Sequence, residues 1–220
     1  MGEPRDFESA RRNLVDELRR EGYIKGGAVE RAFLTVRREE FVTEDNLRYS
    51  YSDTPLPILR GQTISAPSMI AIMLEEAALC PGMRILEIGT GSGYNAALLS
   101  EIVGQENVIT IERYPELVEW GGGNLKRGGY EGVKVVLGDG TLGFEECAPY
   151  DCIMATAGAP RIPKPWIRQT KVGGKIVVTI GGSSFTQTLA IAVRQEKEEV
   201  HIRWGTPCAF VPLVGEEGWK

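Results

Sequence analysis

RILEIGTGSGYNAALLSEIV, at residues 84–103, is the stretch that decides the fold. It opens with an apolar run of strand length and ends with a run in which alanine and leucine recur at helical spacing. Between the two runs, glycine stands at positions 89, 91 and 93. Glycines at such a turn let the main chain approach a ligand closely, where a Cβ atom would collide. The stretch therefore predicts a strand, a ligand-binding loop and a helix in direct succession.

The chain beyond this stretch repeats the same order of strand and helix. Six further strand-like runs follow, at residues 107–112, 133–137, 150–157, 175–180, 188–193 and 210–213. Strands that alternate with helix-length stretches form parallel sheets with helices on both faces. The last two runs have no helix-length spacer and predict an antiparallel hairpin at the sheet edge. We expect an α/β fold with a doubly wound, Rossmann-like, seven-stranded and mostly parallel sheet.

The first 80 residues have a different pattern. Apolar side chains recur at helical spacing in residues 7–18 and 29–36, and residues 69–79 predict a third helix. Residues 49–67 are polar and proline-bearing, too long for a simple connection, and typical of a functional loop. We expect residues 1–80 to form an N-terminal helical extension and substrate loop. They would pack on a cofactor-binding domain of residues 81–220 in one compact unit.

Composition excludes several classes of function. The 220 residues include 25 Lys and Arg against 30 Asp and Glu, and this net charge of −5 predicts no nucleic-acid partner. One histidine, His201, and four cysteines without metal-type spacing argue against a catalytic triad and predict no metal site. No run reaches the roughly 20 apolar residues that span a bilayer, and no signal peptide is visible. We expect a cytoplasmic protein without membrane association; a monomer is allowed, and the oligomeric state stays open.

Acidic residues near the strand ends indicate which nucleotide the loop holds. A nicotinamide fingerprint would need glycine at the sixth position from Gly89, where Tyr94 stands. Glu87 would repel a pyrophosphate and favour a cationic ligand. Glu112 can accept from both hydroxyls of a ribose, and Asp139 can accept from an adenine amine. Together they predict a nucleoside with a positive centre, which describes S-adenosylmethionine.

Five motifs extend this pattern over most of the chain. They are DTPLPI at 53–58, QTISAP at 62–67, EIGTGSGYNAAL at 87–98, GDGTLGFEECAPYD at 138–151 and FVPL at 210–213. With them, the chain resembles the class I S-adenosylmethionine-dependent methyltransferases and, through QTISAP and FVPL, the protein-L-isoaspartate O-methyltransferase family. The resemblance implies a repair enzyme that methylates the carboxylate of L-isoaspartyl residues in damaged proteins and peptides. S-adenosylhomocysteine is the product, and the ester collapses to a succinimide that can reopen as aspartate.

Methyl transfer to a carboxylate limits the choice of catalytic residue. The carboxylate is ionised at neutral pH, so it needs neutral hydrogen-bond donors rather than a strong base. Thr63 and Ser65 are such donors, and the resemblance places the active-site hydroxyl at Ser65. From composition alone, a second role for Ser65 is equally well supported: it could cap the helix that begins near Pro67.

The resemblance also implies most of the other ligand contacts. The predicted cofactor-binding residues are Thr63, Ile64, Glu87, Gly89, Thr90, Gly91, Ser92, Gly93, Glu112, Arg113, Asp139 and Gly140. The predicted substrate-binding residues are Thr54, Pro55, Leu56, Thr63, Ser65 and Val214. The two prolines of DTPLPI give a stiff surface that suits a peptide main chain. One position departs from the family, because Ser68 replaces its usual histidine and no role can be transferred.

Three other functions stay open at this point. A methyltransferase of the same class could act on a small molecule or on RNA. QTISAP and FVPL argue against that alternative, and the acidic balance argues further against RNA. A non-catalytic S-adenosylmethionine-binding or protein-binding module would keep the same motifs. A nicotinamide oxidoreductase comes last, because Tyr94 breaks its fingerprint.

Overall fold

The structure is a computed structural model that describes residues 6–182 and 186–220. Its helices are α1 (Phe7–Arg20), α2 (Gly27–Thr35), α3 (Pro67–Ala77), α4 (Tyr94–Val103), α5 (Pro115–Arg127) and α6 (Lys164–Gln169). Its strands are β1 (Leu56–Pro57), β2 (Thr63–Ile64), β3 (Ile85–Ile88), β4 (Val108–Glu112), β5 (Lys134–Leu137), β6 (Tyr150–Ala159), β7 (Thr170–Gly181), β8 (Gln187–Arg194) and β9 (Val200–Cys208). Within the described ranges, no helix has the length and apolar character needed to cross a membrane.

Seven of the described strands form one sheet in the order β5-β4-β3-β6-β7-β8-β9. β3 pairs in parallel with β4 and β6, and parallel pairing continues outward to β5 and β7. β8 and β9 complete one edge in antiparallel pairing. The predicted doubly wound sheet with an antiparallel edge hairpin is confirmed. The strand order reverses at β3, and in such sheets ligands bind beyond the carboxyl ends of the strands at that point.

Apolar clusters cover both faces of the sheet. In β3, Ile85 faces one cluster, whereas Leu86 and Ile88 face the other. Parallel strands covered on both sides consist almost entirely of apolar residues, and all four residues of β3 are buried. Glu87 is therefore carried into the interior by the strand that contains it.

The N-terminal helices pack into the first of these clusters. Leu14 of α1, Phe33 of α2 and Met73 of α3 are buried there with Leu98 of α4. The N-terminal helical extension predicted from apolar spacing is therefore present. The division into units at residues 1–80 and 81–220 stays a prediction, because a single cluster joins side chains from both.

The edge hairpin contains a different last strand from the one predicted. β8 pairs with β9, while residues 210–213 make only an isolated bridge to Gly158. Pro212 has no N–H to donate to a ladder, and its neighbours Val211 and Leu213 bond to Gly158 instead. The sequence does not predict β9, because this edge strand consists of exposed or half-exposed residues and lacks an apolar run. His201 lies exposed on this edge strand.

Candidate active site

Two adjoining cavities lie along the glycine loop at the carboxyl ends of β3, β4 and β6, and a surface groove lies beside them. The larger of the two cavities along the glycine loop, here called the cofactor cleft, has an empty volume of about 610 Å³. The predicted site residues in its lining are Thr63, Gly89, Gly91, Glu112, Arg113, Gly140 and Val214. They come from separate stretches of chain and meet here because neighbouring parallel strands end at one edge of the sheet.

A smaller cavity of about 300 Å³, here called the inner cavity, shares part of that lining. The predicted site residues around it are Thr63, Ile64, Ser65, Glu87, Gly89, Thr90, Gly91 and Ser92. Because Thr63, Gly89 and Gly91 line both spaces, the inner cavity extends the cofactor cleft around the glycine loop.

A surface groove of about 910 Å³, here called the substrate groove, lies against the QTIS segment. Pro55, Thr63 and Ser65 line it together with apolar side chains such as Met69 and Phe210. Thr63 lines all three spaces, and Ser65 lines the substrate groove and the inner cavity. Ser65 therefore stands where a ligand in the groove would meet a ligand in the inner cavity.

Glu87 supplies a buried carboxylate to the inner cavity. Thr110 Oγ1 donates to its Oε2 at 2.6 Å, and Asn95 Nδ2 donates to its Oε1 at 2.8 Å. Burial raises the pKa of Glu87 to about 7, although the two hydrogen bonds oppose that rise. A cation next to this carboxylate would favour its ionised form, in keeping with the cationic ligand that the sequence predicts.

Asn95, in the first turn of α4, is a site residue that the sequence analysis missed. Its amide nitrogen is held by Glu87, whereas its Oδ1 is buried without a hydrogen-bond partner among the described residues. Asn95 also lines the inner cavity. A buried carbonyl oxygen beside a carboxylate fits a cationic donor such as the ammonium group of S-adenosylmethionine. The sequence feature that could have identified Asn95 is its position two residues after Gly93, because α4 starts directly at the glycine loop.

Glu112, the last residue of β4, lines the cleft and also holds the glycine loop. Its Oε2 accepts from Gly91 N at 3.1 Å. Its Oε1 accepts from the N–H groups of Arg113 and Tyr114 at 2.8 and 3.1 Å. Oε1 is thus shared by two donors already, which leaves Oε2 better placed to accept from a ribose hydroxyl.

Packing explains one glycine of the loop better than ligand contact does. Gly93 has a φ of +87°, and a Cβ there would lie 2.9 Å from the main-chain oxygen of Gly121 in α5. A Cβ on Gly121 would lie only 2.6 Å from the main-chain oxygen of Gly91. From the sequence, the three glycines at 121–123 lower helix propensity and predict a bent or frayed helix. Fraying is not observed, because α5 is continuous through these glycines, and Gly121 lets the helix approach the loop.

Asp139 makes different contacts from the predicted one. Thr141 N donates to its Oδ1 at 2.9 Å and Glu216 N donates to its Oδ2 at 2.8 Å. Partial burial would raise the pKa of Asp139, but these hydrogen bonds hold it below its ordinary value. Asp139 lies outside the lining of the cleft, next to Gly140, and it ties the C-terminal segment to the site. Its contact with adenine stays a prediction.

Three predicted substrate residues, Thr54, Leu56 and Val214, lie away from the groove lining, and Val214 lines the cofactor cleft instead. Leu56 is buried in the core with 4% of its surface exposed, and Thr54 is exposed outside the lining. The alternative role of Ser65 as a helix cap is wrong, because Ala66 occupies the cap position of α3. Asp53 Oδ1 accepts from Ser68 N at 2.8 Å in the first turn instead. Ser68, where the family usually has histidine, lines the substrate groove.

A doubly wound sheet with a glycine loop at its switch point and acidic residues on β3 and β4 defines a class I S-adenosylmethionine-dependent methyltransferase. The family model described as Protein-L-isoaspartate(D-aspartate) O-methyltransferase (PCMT) matches residues 9–218. The chain belongs to this family, whose members transfer a methyl group from S-adenosylmethionine to isoaspartyl residues.

Individual relatives agree with the family model. A protein-L-isoaspartate O-methyltransferase of Hyperthermus butylicus is 51% identical over 223 residues, which cover 97% of this chain and 92% of the relative. A solved protein-L-isoaspartate O-methyltransferase has a TM-score of 0.85 at 33% identity, over 94% of this chain and 66% of that one. A Plasmodium falciparum protein described as a beta-aspartate methyltransferase (PCMT), in complex with S-adenosyl-L-homocysteine, has a TM-score of 0.82 at 27% identity, covering 96% and 99%. The family, enzyme class and cofactor predicted from the motifs are confirmed.

Proposed function

We propose that this chain repairs damaged proteins by methylating the free carboxylate of L-isoaspartyl residues, with Ser65 as the residue that holds this carboxylate. The observation that carries the assignment is the position of Ser65 between the substrate groove and the inner cavity. A hydroxyl that lines both spaces can contact the acceptor in the groove while the methyl donor occupies the other side. The main-chain nitrogen of the next residue then attacks the ester carbonyl, methanol leaves, and water reopens the resulting succinimide in part as aspartate.

The cofactor cleft and the inner cavity offer groups that fit S-adenosylmethionine. Glu112 and Gly140 would contact its nucleoside in the cleft, and Glu87 with the unpartnered Oδ1 of Asn95 would take its ammonium end. When bound, S-adenosylmethionine supplies an electrophilic methyl group, whose bond to sulfur breaks as the bond to a substrate oxygen forms. The other nine predicted cofactor contacts, Asp139 among them, stay predictions.

Orientation and removal of water are the main tasks left to the protein. The acceptor carboxylate is ionised at neutral pH because its pKa is near 4, so no general base is needed. The hydroxyl of Ser65 is a neutral donor, which can hold one carboxylate oxygen and leave the other free to attack. Holding two reactants in line can lower the activation free energy by roughly 7–11 kcal/mol.

The substrate groove suits a peptide of variable sequence. Its wall combines Pro55, which has no N–H, with apolar side chains such as Tyr23, Met69 and Phe210. Such a surface binds a main chain and its neighbours by shape, with few demands on side-chain identity. The acidic balance of the chain supports a protein substrate over RNA. We propose isoaspartyl segments of proteins and peptides as the partners.

We also propose a reducing compartment, the cytoplasm. Cys80, Cys147, Cys152 and Cys208 are all free thiols. Unpaired cysteines are typical of compartments in which thiols are kept reduced. Burial raises the pKa of Cys152 to about 12, so this thiol stays protonated and unreactive.

The experiment that tests the function compares two synthetic peptides, identical except for L-isoaspartate or ordinary aspartate at one position. We expect methyl label from S-adenosylmethionine, labile in base, on the isoaspartyl peptide alone. Label on neither peptide, with S-adenosylhomocysteine binding shown by calorimetry, would overturn the proposed substrate. RNA and small carboxylic acids assayed in parallel would then separate another acceptor from a module that binds the cofactor without turnover.

A further inference from the structure

Arg38, the first residue of the 3₁₀ helix Arg38–Phe41, is an arginine with 0% of its surface exposed. Its Nη2 donates to the main-chain oxygen of Ser65 at 2.9 Å. Its Nε and Nη1 are buried and find no hydrogen-bond partner in the part of the chain that the structure describes. None of the ion pairs within that part includes Arg38.

This arrangement is unfavourable for stability. An unpaired charge loses its hydration on burial, and apolar residues of similar volume often replace buried charges with no loss of stability. Burial lowers the pKa of Arg38 below its ordinary value, and Tyr94, Tyr51 and Asp53 oppose that shift. A guanidinium nevertheless stays protonated in proteins. A buried cation without a carboxylate partner therefore needs an explanation other than stability.

The guanidinium of Arg38 joins two parts of the site. Its Nη2 bonds to the main-chain oxygen of Ser65, and its Cζ lies over the ring of Tyr94, 4.7 Å from the ring centroid. Tyr94 is itself buried and begins α4, directly after the glycine loop. A planar guanidinium can donate in its plane and stack on an aromatic ring at once, which the point charge of lysine cannot do.

A second anchor holds the same segment further along. Asp53 Oδ1 accepts from Ser68 N and thereby fixes the start of α3. Arg38 acts at Ser65 itself, three residues earlier in the chain. Arg38 is absent from the linings of the cofactor cleft, the substrate groove and the inner cavity. Arg38 therefore does not touch a ligand in any of these spaces, and its direct contacts are with the residues that it holds.

We propose that Arg38 is a positioning residue for methyl transfer, which fixes the main chain of Ser65 relative to the glycine loop and so sets where the Ser65 hydroxyl meets the substrate. The inference rests on the proposed role of Ser65. Misplacement of a reacting group by about 1 Å can lower the rate roughly 100-fold. Loss of this one contact is therefore enough to slow the reaction without any change in the residues that touch the ligands.

The test uses Arg38→Met, which keeps the volume and removes the donors, with Arg37→Met as the matched control. Arg37 directly precedes Arg38 in the chain, and its largely exposed side chain pairs with Glu40 at the surface. For Arg38→Met we expect kcat on an isoaspartyl peptide to fall at least tenfold. The Kd for S-adenosylhomocysteine should stay within threefold, and the unfolding midpoint should not fall, because an unpaired buried charge is removed. Arg37→Met should match the wild type in all three.

Two outcomes would overturn the proposal. One is an unchanged kcat in folded Arg38→Met. The other is a parallel decline of kcat, cofactor affinity and unfolding midpoint, which would indicate a role in folding alone. If Arg38→Met fails to fold, Arg38→Lys is the second variant. It keeps the charge but cannot contact the ring of Tyr94 and donate to the oxygen of Ser65 at the same time, so we expect a smaller fall in kcat. A wild-type kcat for Arg38→Lys would contradict the proposal.

A double variant shows whether the effect passes through Ser65. If it does, the kcat of the double variant Arg38→Met with Ser65→Ala should equal that of Ser65→Ala alone. A kcat that is reduced by the product of the two single-variant factors would overturn the proposal. Amide hydrogen exchange of residues 62–66 gives a readout independent of activity. We expect faster exchange in Arg38→Met, and unchanged exchange would contradict the positioning role. A wild-type chain inactive on isoaspartyl peptides would instead overturn the proposed function, and hydrogen exchange would then decide the role of Arg38 by itself.

Discussion

The cofactor side and the substrate side of the site bury opposite charges. On the cofactor side, the Glu87 carboxylate lies beneath the glycine loop with hydrogen bonds to both oxygens. On the substrate side, the Arg38 guanidinium lies behind Ser65 with two of its three nitrogens unpartnered among the described residues. The proposed ligands have the complementary signs, a cationic cofactor and a carboxylate substrate. Ser65, at the boundary between the two sides, can then act with a neutral hydroxyl.

The two sides also differ in how tightly their polar groups are bonded. Glu87 belongs to a continuous chain of hydrogen bonds that passes through Thr110 to Thr90. The substrate side has single contacts instead, from Arg38 to Ser65 and from Asp53 to Ser68. Several connected hydrogen bonds therefore fix the geometry of the cofactor side, whereas the geometry of the substrate side depends on a few individual bonds.

Removal of the hydroxyl at the boundary should have the largest effect. In Ser65→Ala we expect kcat to fall by one or more orders of magnitude, because the acceptor carboxylate loses its neutral donor. The affinity for S-adenosylhomocysteine should change little, since Glu87 and Glu112 remain. Steady-state kinetics with an isoaspartyl peptide and calorimetry with the product measure the two quantities. A variant with full activity would show that the carboxylate is held elsewhere.

On the cofactor side, Glu112→Ala should weaken binding of S-adenosylhomocysteine by about 1–3 kcal/mol, because charged hydrogen bonds to ribose and to Gly91 are lost. Glu116→Ala is the matched control. Glu116 is an exposed acid in the first turn of α5 and contacts only Arg60 among the ion pairs of the described residues. Calorimetry measures both variants. Equal affinity for Glu112→Ala and the wild type would remove Glu112 from the cofactor site.

Rigidity of the glycine loop can be tested at α5. Gly121→Val and Gly123→Val change helix propensity equally, but only the first would place a side chain against the main-chain oxygen of Gly91. We expect Gly121→Val to lose about 1–3 kcal/mol of stability through overpacking and to bind S-adenosylhomocysteine more weakly. Denaturant unfolding measures the stability difference. Identical behaviour of the two variants would contradict the close packing of α5 on the loop.

The buried carboxylate should also make cofactor affinity depend on pH. With a pKa near 7 in the free protein, Glu87 is mostly protonated at pH 6 and mostly ionised at pH 8. Because a cation favours the ionised form, affinity for S-adenosylhomocysteine should rise by at most about tenfold between these pH values. Glu87→Gln should remove the dependence. An affinity that stays flat, or rises as the pH falls, in the wild type would contradict the role of Glu87.

The same comparison explains how much could be predicted from the sequence. The cofactor side follows from contiguous signals, since the apolar run of β3 leads directly into glycines and then into α4. Such a local pattern predicts the sheet, its switch point and the place of Glu87. Asn95 and Gly121 were missed because their importance depends on contacts across the fold, with Glu87 and with Gly91.

The substrate side is assembled from residues far apart in the chain, so its signals are weaker. Arg38 lies in the charged run RREE, which looks like a solvated surface until the fold buries it. The family motif QTISAP located Ser65, but no local pattern connects it to Arg38. The strand β9 was missed for a related reason, because one edge of a sheet needs few apolar residues.

A crystal structure of the chain with S-adenosylhomocysteine and an L-isoaspartyl peptide tests the central claim most directly. That claim is that the two ligands meet at Ser65. We predict the isoaspartyl carboxylate in the substrate groove with one oxygen about 2.5–3.0 Å from Ser65 Oγ. The cofactor should lie in the cofactor cleft and the inner cavity, with its amine at Asn95 Oδ1. A peptide carboxylate held by other residues, out of reach of Ser65, would contradict the account.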